Sequence, residues 1–410
     1  MSELIWSSDY YVLDLKKDKE IIYEINMEQV EFSKKPSRLS KSLIDTTDIY
    51  KELVILKSKI SSCKSWDKWV KLINVYDKVP NVAKSMNTRN YYNILEILRY
   101  SNIDNLSVNK SIHLGVSSAS SLKAVKYFFP KVDWSIYQYK EPYPESKHGK
   151  IVEELESVKN ENGYSRVNYL SEDYYFIDEI NEIKEKDNDL IIVDPSIDTK
   201  HDPESQEQLT FYYIFLYITL ALRIQKLDGC LIVKIYDSYT RPTCQLVSYL
   251  GNFYSEINII KPRTSRSSSS EKYIIAKKYI GISVIELQSI NNFAKNWDSN
   301  LYLRDLCIVI SESIEKQYFE YNSKIAKNQY LCIGKIINCS YYEDVPEKQL
   351  EAFQNKKAIQ FCNNFGIQIN LSNTEIESVC KHTKRNKIKI GNLKNSYICE
   401  KCFSLIMCKS

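Results

Sequence analysis

Two short apolar runs constrain the fold of this chain more than any other feature. The first covers residues 189–195 (DLIIVDP) and the second covers residues 229–236 (GCLIVKIY). A strand that is apolar at nearly every position is buried on both faces, which is typical of a parallel sheet with helices on each side. The two runs therefore predict strands at the centre of such a sheet.

A helix and further strands are predicted around these two runs. Residues 209–222 form an apolar run of roughly 14 residues, which is shorter than the span of about 20 that crosses a bilayer and predicts a core helix. Helical patterns, one of them at 151–158, lie between most of the remaining strand patterns, which are at 110–114, 133–137, 167–170, 257–260 and 272–276. This alternation predicts a doubly wound, Rossmann-like α/β domain.

The pattern divides the chain into four regions. Residues 1–84 form an N-terminal extension, and residues 85–285 form the α/β domain. Residues 286–372 carry helical patterns, notably at 309–321 and 346–363, and residues 373–410 are basic and rich in cysteine. The predicted fold class is therefore an α/β sheet with helical additions at its N-terminal and C-terminal ends.

Composition limits the class of protein without identifying its partner. The net charge is +4, which permits binding to nucleic acid but does not require it. Eleven cysteines follow a start that lacks the basic and apolar layout of a signal peptide, so we expect reduced thiols in the cytoplasm rather than disulfides. No membrane segment is predicted.

Four residues near the C-terminal end have the types and spacing of metal ligands. They are Cys380, His382, Cys399 and Cys402. A Cys-x-x-Cys pair brings two thiolates to one metal, and a Cys-x-His pair completes a tetrahedral set. The pattern predicts a closed, structural zinc site, and the alternative is a cysteine-rich tail that packs without metal.

Lys234 interrupts the second apolar run and is the first candidate functional residue. Buried lysines are rare unless they are paired or functional, and the alternative is a lysine at the solvent edge of a strand. Asp194 ends one predicted strand and Glu271 begins another, and open α/β sheets bind ligands at such strand ends. Two carboxylates can align a lysine, which then accepts a proton from an alcohol when its pKa is lowered.

These segments resemble the FtsJ-like ribose 2′-O-methyltransferases, a family that includes many viral mRNA cap methyltransferases. The similarity covers residues 85–281 and is carried by residues 189–194, residues 229–234 and a Lys-Pro, Ser-Arg, Glu-x-Tyr series between 261 and 273. It implies methyl transfer from S-adenosylmethionine to a ribose 2′-hydroxyl of RNA, with capped mRNA as the substrate. It also implies that Asp194, Lys234 and Glu271 are the last three members of a catalytic Lys-Asp-Lys-Glu tetrad.

The residue at the place of the first lysine of the tetrad is different in this chain. Asn93 occupies that place, in the predicted helix before the first strand of the α/β domain. A neighbouring cation lowers the pKa of a lysine, so without it we expect Lys234 to stay protonated to higher pH and to be a poorer base. Arg89 lies four residues earlier on the same helical face and is the candidate that restores the charge.

The resemblance also implies a cofactor site. The turn after the first strand keeps one glycine and continues with serines and alanine, which are small but lack the freedom of glycine. The residues expected to bind S-adenosylmethionine are Gly115, Ser117, Glu172, Asp173 and Asp194.

A basic, hydroxyl-rich loop before Glu271 is the candidate RNA contact. Lys261, Arg263 and Arg266 are expected to hold RNA phosphates beside the 2′-hydroxyl. The alternative is a loop whose charges are only solvated.

Two functions from different classes stay open. The first is an active cap-type 2′-O-methyltransferase, favoured by three matching tetrad positions and expected in the cytoplasm of a virus-infected cell. The second is an RNA-binding or stimulatory subunit that partners other capping proteins without catalysis, favoured by Asn93 and the altered cofactor loop. An unrelated Rossmann-like enzyme would carry a glycine-rich phosphate loop, and the sequence has none.

Overall fold

The computed structural model describes most of the chain and reveals one large sheet with helices on both faces. The described residues are 11–15, 25, 29–35, 43, 48–84, 87–116, 118–139, 167–170, 182–195, 205–298, 300–341, 345, 347–369, 385–390, 393–399 and 405–407.

The strands of the described residues are named in chain order. They are β1 (Tyr11–Leu15), β2 (Glu31–Ser33), β3 (Lys110–Leu114), β4 (Asp133–Tyr139), β5 (Val167–Leu170), β6 (Asn188–Val193), β7 (Gln225–Tyr236), β8 (Tyr254–Lys261), β9 (Glu271–Tyr279), β10 (Tyr302–Asp305), β11 (Arg385–Ile390), β12 (Leu393–Cys399) and β13 (Leu405–Met407). The strands predicted from residue 110 to residue 276 are all confirmed as β3 to β9.

The helices are named in the same way. They are α1 (Asp48–Ser58), α2 (Trp66–Ile73), α3 (Val79–Val82), α4 (Arg89–Tyr100), α5 (Ser120–Phe128), α6 (Gln206–Ile224), α7 (Arg241–Leu250), α8 (Val284–Asn296), α9 (Glu312–Tyr341) and α10 (Glu347–Asn364). The core helix predicted at 209–222 is α6, and the helix predicted at 309–321 continues to Tyr341 as α9. The helix predicted at 151–158 lies outside the described residues.

The main sheet has the strand order β1-β8-β9-β7-β6-β3-β4-β5. Strands β3 to β7 are mutually parallel, whereas β9 runs antiparallel to both of its neighbours, β7 and β8. The chain winds outward from β3 to β5 and then crosses to β6, so the strand order reverses between β3 and β6. Open α/β sheets bind ligands at the carboxyl ends of the strands beside such a reversal. The predicted Rossmann-like fold class is confirmed.

Alternate residues of the central strands face two different layers of helices, as the two-residue period of a strand requires. Ile191 and Val233 face the layer that contains α6, which is apolar on most sides and largely buried. Ile192 and Ile232 face the layer that contains α4 and α10. No helix of the described residues is both long enough and apolar enough to cross a membrane.

The N-terminal and C-terminal regions are connected to the α/β domain and to each other. β1 extends the main sheet by pairing with β8, and β2 pairs with β10 in a small separate sheet. Leu53 of α1 and Trp69 of α2 pack on buried residues of α9, so the two additions share an apolar core. Strands β11 to β13 form a third, antiparallel sheet.

Gly115 occupies the point where the chain leaves β3, and its neighbourhood requires a glycine. Its φ angle is +68°, which lies in the left-handed region that other residues avoid. A Cβ atom at this position would lie 2.7 Å from Cε2 of Tyr217, because the ring of that α6 residue covers the glycine. The turn after β3 and the position of α6 therefore depend on each other.

Gly115→Ala should destabilise the fold by about 2 kcal/mol, because the left-handed conformation alone costs roughly 1–2 kcal/mol and the ring of Tyr217 must also move. Unfolding in urea would measure the change. Gly334→Ala is the matched control, since Gly334 lies within α9 and its nearest neighbour to a new Cβ is Cδ1 of Leu56 at 3.6 Å. That control should be neutral or stabilising, and a Gly115→Ala protein as stable as the control would contradict this account.

Candidate active site

Three neighbouring strands place polar residues at one edge and on one face of the main sheet. The parallel register of β6 and β7 places Asp194 beside Lys234. The antiparallel register of β7 and β9 places Lys234 opposite Tyr273, two residues after Glu271. Because β9 begins where β6 and β7 end, all four side chains lie at the ligand-binding edge of the sheet, on the face that α4 covers.

Lys234 and Asp194 form a buried ion pair at this edge. Nζ of Lys234 lies 2.9 Å from Oδ1 of Asp194, and the two side chains are 13% and 2% exposed. The backbone N–H of Asp194 donates to the carbonyl of Leu114 at 3.0 Å, which fixes the carboxylate at the strand-order reversal. The alternative of a lysine at the solvent edge of its strand is therefore wrong, and the structure brings Asp194, Lys234 and Glu271 together as predicted.

Two asparagines of α4 donate hydrogen bonds to the carboxylates. Nδ2 of Asn93 donates to Oε1 of Glu271 at 2.9 Å, and Nδ2 of Asn90 donates to Oδ2 of Asp194 at 2.7 Å. Asn93 is buried at the position where the resemblance expects a lysine, and it contacts Glu271 rather than Lys234. Sequence reasoning did not find Asn90, although its spacing of three residues from Asn93 puts both on one face of the helix.

Tyr273 links the two halves of this hydrogen-bonded cluster. Its hydroxyl lies 3.1 Å from Oδ1 of Asn90 and forms a short hydrogen bond with Oε1 of Glu271. The tyrosine is buried, and its position opposite Lys234 follows from the strand register. The network thus runs from Lys234 through Asp194, Asn90 and Tyr273 to Glu271.

The electrostatics of the cluster favour the charged form of the amine. Burial by itself lowers the pKa of Lys234, but the carboxylate of Asp194, with a further contribution from Glu271, raises that pKa well above its ordinary value. The direction agrees with the expectation drawn from the missing cation at position 93.

Arg89 acts on the carboxylate side of the cluster. Burial raises the pKa of Glu271, but the charges of Lys234 and then Arg89 outweigh this effect, so the pKa lies below its ordinary value. Arg89 lies near Asp77, whose Oδ1 is 4.0 Å from Nη1 of the arginine. The residue expected to restore the missing charge therefore lies within electrostatic range of the site.

Lys261 is inside the protein, which differs from the prediction that it contacts RNA. The side chain is 2% exposed, and its amine donates to the carbonyls of Ser269 and Glu271 at 2.8 and 3.0 Å and to Oγ of Ser265 at 3.3 Å. Burial lowers its pKa to about 7. The amine holds the two ends of the loop 262–270 together and so fixes the backbone of Glu271.

A buried carboxylate of α4 holds the beginning of the same loop. Glu96 accepts hydrogen bonds from the backbone N–H groups of Arg263 and Thr264, both at 3.1 Å, and from the Thr264 hydroxyl at 2.9 Å. Burial raises the pKa of Glu96 to about 7. Asn93 and Glu96, three residues apart on α4, thus position both Glu271 and the loop that precedes it.

The two arginines of the loop also make contacts within the protein. Nε and Nη2 of Arg266 bond both carboxylate oxygens of Asp77 at 2.6 and 3.1 Å. The guanidinium carbon of Arg263 lies 5.8 Å from the ring centre of Tyr100. The alternative of a loop with merely solvated charges is therefore wrong, and Arg263 and Arg266 carry structural contacts that sequence reasoning did not foresee.

Part of the predicted cofactor site is described. Gly115 and Asp194 lie at the strand-order reversal, and the room left by the missing side chain of Gly115 is filled by the ring of Tyr217, which differs from the expected use of that glycine. Ser117, Glu172 and Asp173 lie outside the described residues. Their assignment to the cofactor stays a prediction.

The predicted zinc site also lies largely outside the described residues. Cys380, His382 and Cys402 are not described, and of Cys399 only the backbone, at the end of β12, is described. Within the described part of the chain, no group of three or more histidine, cysteine, aspartate or glutamate residues is placed to hold a metal ion. Zinc binding is not supported and stays a prediction.

Comparison with known proteins confirms the resemblance drawn from the sequence. Residues 149–279 match the family model of the FtsJ-like methyltransferases. The chain is 33% identical over 91 residues to cap-specific mRNA (nucleoside-2′-O-)-methyltransferase 2 of Drosophila melanogaster, which is 22% of this chain and 13% of that protein. It is 25% identical over 150 residues to the cap-specific mRNA (nucleoside-2′-O-)-methyltransferase of Autographa californica nuclear polyhedrosis virus, which is 37% of this chain and 47% of that protein.

The chain therefore spans less than half the length of these curated relatives. Among solved structures, a ribosomal RNA methyltransferase from Plasmodium falciparum aligns with a TM-score of 0.31 and 18% identity, covering 48% of this chain and all of that chain.

Asp194→Asn should lower the pKa of Lys234 by about one to three pH units, because removal of an adjacent anion disfavours the ammonium form. NMR titration of protein with labelled lysine side chains would measure this pKa directly. Asp189→Asn is the control on the same strand, since Asp189 pairs with Lys226 at the other end of β6. An unchanged Lys234 pKa in Asp194→Asn would show that the ion pair does not set the protonation of the amine.

Proposed function

We propose that this chain transfers a methyl group from S-adenosylmethionine to a ribose 2′-hydroxyl of RNA, and that capped mRNA is its substrate. The observation that carries the proposal is the buried amine of Lys234, 2.9 Å from Asp194 at the ligand-binding edge of the sheet, with Glu271 in the same network. The match to the FtsJ-like methyltransferases and the cap-specific 2′-O-methyltransferase activity for which the relatives are named support it.

The chemistry of the described residues fits the cofactor. S-adenosylmethionine carries a cationic sulfonium centre, and the buried carboxylate of Asp194 lies at the strand-order reversal where this fold binds ligands. Asp194 would hold it, and Ser117, Glu172 and Asp173 stay the further residues predicted to do so. When bound, the cofactor supplies the methyl group.

Residues of the chain accept the proton that the ribose hydroxyl loses. A neutral Lys234 would accept this proton on Nζ, with Asp194 and Glu271 stabilising the ammonium that results. Since the raised pKa keeps most of the amine protonated near neutral pH, the rate should rise as the pH rises. Oδ1 of Asn93, a buried acceptor that receives no hydrogen bond from a described residue, is open to a hydroxyl at the site.

The competing function is a subunit that binds RNA and keeps the fold without catalysis. Asn93 at the place of the tetrad lysine is the observation in its favour. Calorimetric titration of the purified protein with S-adenosylmethionine separates the two, because the subunit has no need to bind the methyl donor. Binding together with methyl transfer to capped RNA supports the enzyme, and failure to bind supports the subunit.

Lys234→Ala should lower kcat for methyl transfer to capped RNA by at least about 100-fold, because a positioned acid or base contributes about 10² to 10⁴ to a rate. Lys234→Arg is the companion variant, since arginine keeps the ion pair with Asp194 but cannot be deprotonated in a protein. It should fold, bind S-adenosylmethionine and fail to turn over. Full activity of Lys234→Arg would contradict a role for the amine as a base.

Arg89→Ala should move the rising limb of the pH–rate profile to higher pH. Removal of a cation raises the pKa of nearby groups, and Arg89 is one of the charges that lower the pKa of Glu271. Arg89→Lys, which keeps the charge, is the matched control and should leave the limb in place. Asn93→Lys adds a cation beside Glu271 and should move the limb to lower pH. Coincident profiles of the wild type, Arg89→Ala and Asn93→Lys would reject this electrostatic account.

A further inference from the structure

A cleft of about 430 Å³ lies beside the candidate active site and is formed by α2, α3, the start of α4, the loop 262–270 and α10. We call it the α2–α10 cleft. Its cationic lining residues are Lys68, Lys71, Lys78, Arg89 and Arg266. Apart from Arg266, these residues lie outside the segment 149–279 that matches the FtsJ-like family, and the three lysines belong to the N-terminal region.

One carboxylate lies beside both arginines of the cleft and binds one of them directly. Asp77 bonds Arg266 through both of its oxygens, and Nη1 of Arg89 lies 4.0 Å from the same carboxylate. A guanidinium fixed in this way keeps free N–H groups for a second acceptor, and the planar donor fork matches a phosphate group. Arg266 is therefore preorganised to bind an anion, and Arg89 adds a second positive charge beside it.

Two lysines of the cleft form weak, exposed ion pairs, and a third forms no ion pair with a described residue. Lys68 pairs with Glu347 at 2.5 Å and Lys78 pairs with Glu351 at 3.1 Å, and each of the four side chains is 30% to 51% exposed. Exposed ion pairs contribute little to stability, so a phosphate can replace either glutamate at little cost. Among the described residues, no carboxylate lies within ion-pair distance of Lys71, which also lines the cleft.

The cleft shares a wall with the catalytic edge of the sheet. Arg89 lines the cleft, and the next residue, Asn90, donates to Asp194. Arg266 lines the cleft from the loop that ends at Glu271. A chain of phosphates in the cleft would therefore lead directly to the residues that receive the ribose hydroxyl.

We infer that the α2–α10 cleft binds backbone phosphates of the RNA whose ribose is presented to Lys234. This inference rests on the proposed function. Its volume lies within the range of about 300–1,000 Å³ that is typical of ligand sites. None of its described lining residues is aromatic, so recognition uses charge rather than base stacking. Such contacts position a nucleic acid without reading its sequence.

Glu347 and Glu351 bring negative charge into the same cleft. They lie four residues apart on α10 and so share one helical face, which is turned toward the lysines of the cleft. Both carboxylates compete with RNA phosphates for these lysines. Removal of a lysine charge should therefore weaken RNA binding, whereas removal of a glutamate charge should strengthen it.

The test is fluorescence anisotropy with a labelled, uncapped single-stranded RNA of about ten nucleotides, which is long enough to fill a single-strand site. Lys71→Ala should raise Kd about three- to fivefold. The number of counterions released on binding, read from the slope of log Kd against log salt concentration, should fall by about one. Glu351→Gln should lower Kd by a similar factor. Lys348→Ala and Glu312→Gln are the controls, since both residues are exposed, lie on α10 and α9, and do not line the cleft.

Unchanged affinity in both Lys71→Ala and Glu351→Gln would overturn the inference, as would tighter binding of an oligoglutamate peptide than of RNA to the wild-type protein. Methyl transfer to capped RNA is measured on the same proteins. If Kd rises in Lys71→Ala and falls in Glu351→Gln but the wild-type protein transfers no methyl group, the cleft binds RNA and the proposed function is rejected. Methyl transfer with unshifted Kd values would reject the cleft alone.

Discussion

The buried ion pair between Lys234 and Asp194 sets the conditions that the surrounding structure has to satisfy. Two charges removed from water stabilise a protein only when their remaining hydrogen-bonding capacity is used, and loss of one partner costs about 3–5 kcal/mol. Here the second oxygen of Asp194 is bonded by Asn90, which in turn contacts Tyr273. Helix α4 must therefore lie across the carboxyl ends of β6 and β7 in one orientation. Apolar residues of the same size would fill this space equally well, so the pair is better explained by chemistry than by stability.

Glu271 obtains its position from two buried groups that are not part of the ion pair. The amine of Lys261 gathers the ends of the preceding loop, and the carboxylate of Glu96 binds the beginning of that loop. Asp77 fixes the loop from outside through Arg266. A carboxylate supported in this way does not have to reorganise when a substrate binds, and such preorganisation is a main source of electrostatic catalysis. The basic character of the loop therefore serves the geometry of the site as well as its charge.

The sequence was informative where a single strand decides the outcome and less so where two distant segments meet. Asp194, Lys234 and Glu271 could be found because each is a charged residue at the end of, inside or at the beginning of an apolar strand pattern. Lys261 has the same sequence context as a surface lysine, and only the folded loop reveals the three oxygens around its amine. Asn90 and Asp77 act through contacts that depend on how α3 and α4 pack on the sheet. Gly115 was recognised as a special position, but the neighbour that requires it, Tyr217, comes from a helix about a hundred residues later in the chain.

The edge strand β1 has a consequence for the order in which the chain can assemble. Its residues pair with β8, so Tyr11 lies opposite Lys261. The segments that form β3 to β7 lie between these two partners in the sequence. During synthesis the segment that becomes β1 leaves the ribosome before the other strands of the main sheet, yet it has no partner until β8 has been made and has joined β9. Until then β8 presents an open edge, the kind of surface on which strands of other molecules can add. Pairing of β1 with β8 is therefore a late, long-range step, and it replaces the edge of an eight-residue strand with that of a five-residue one.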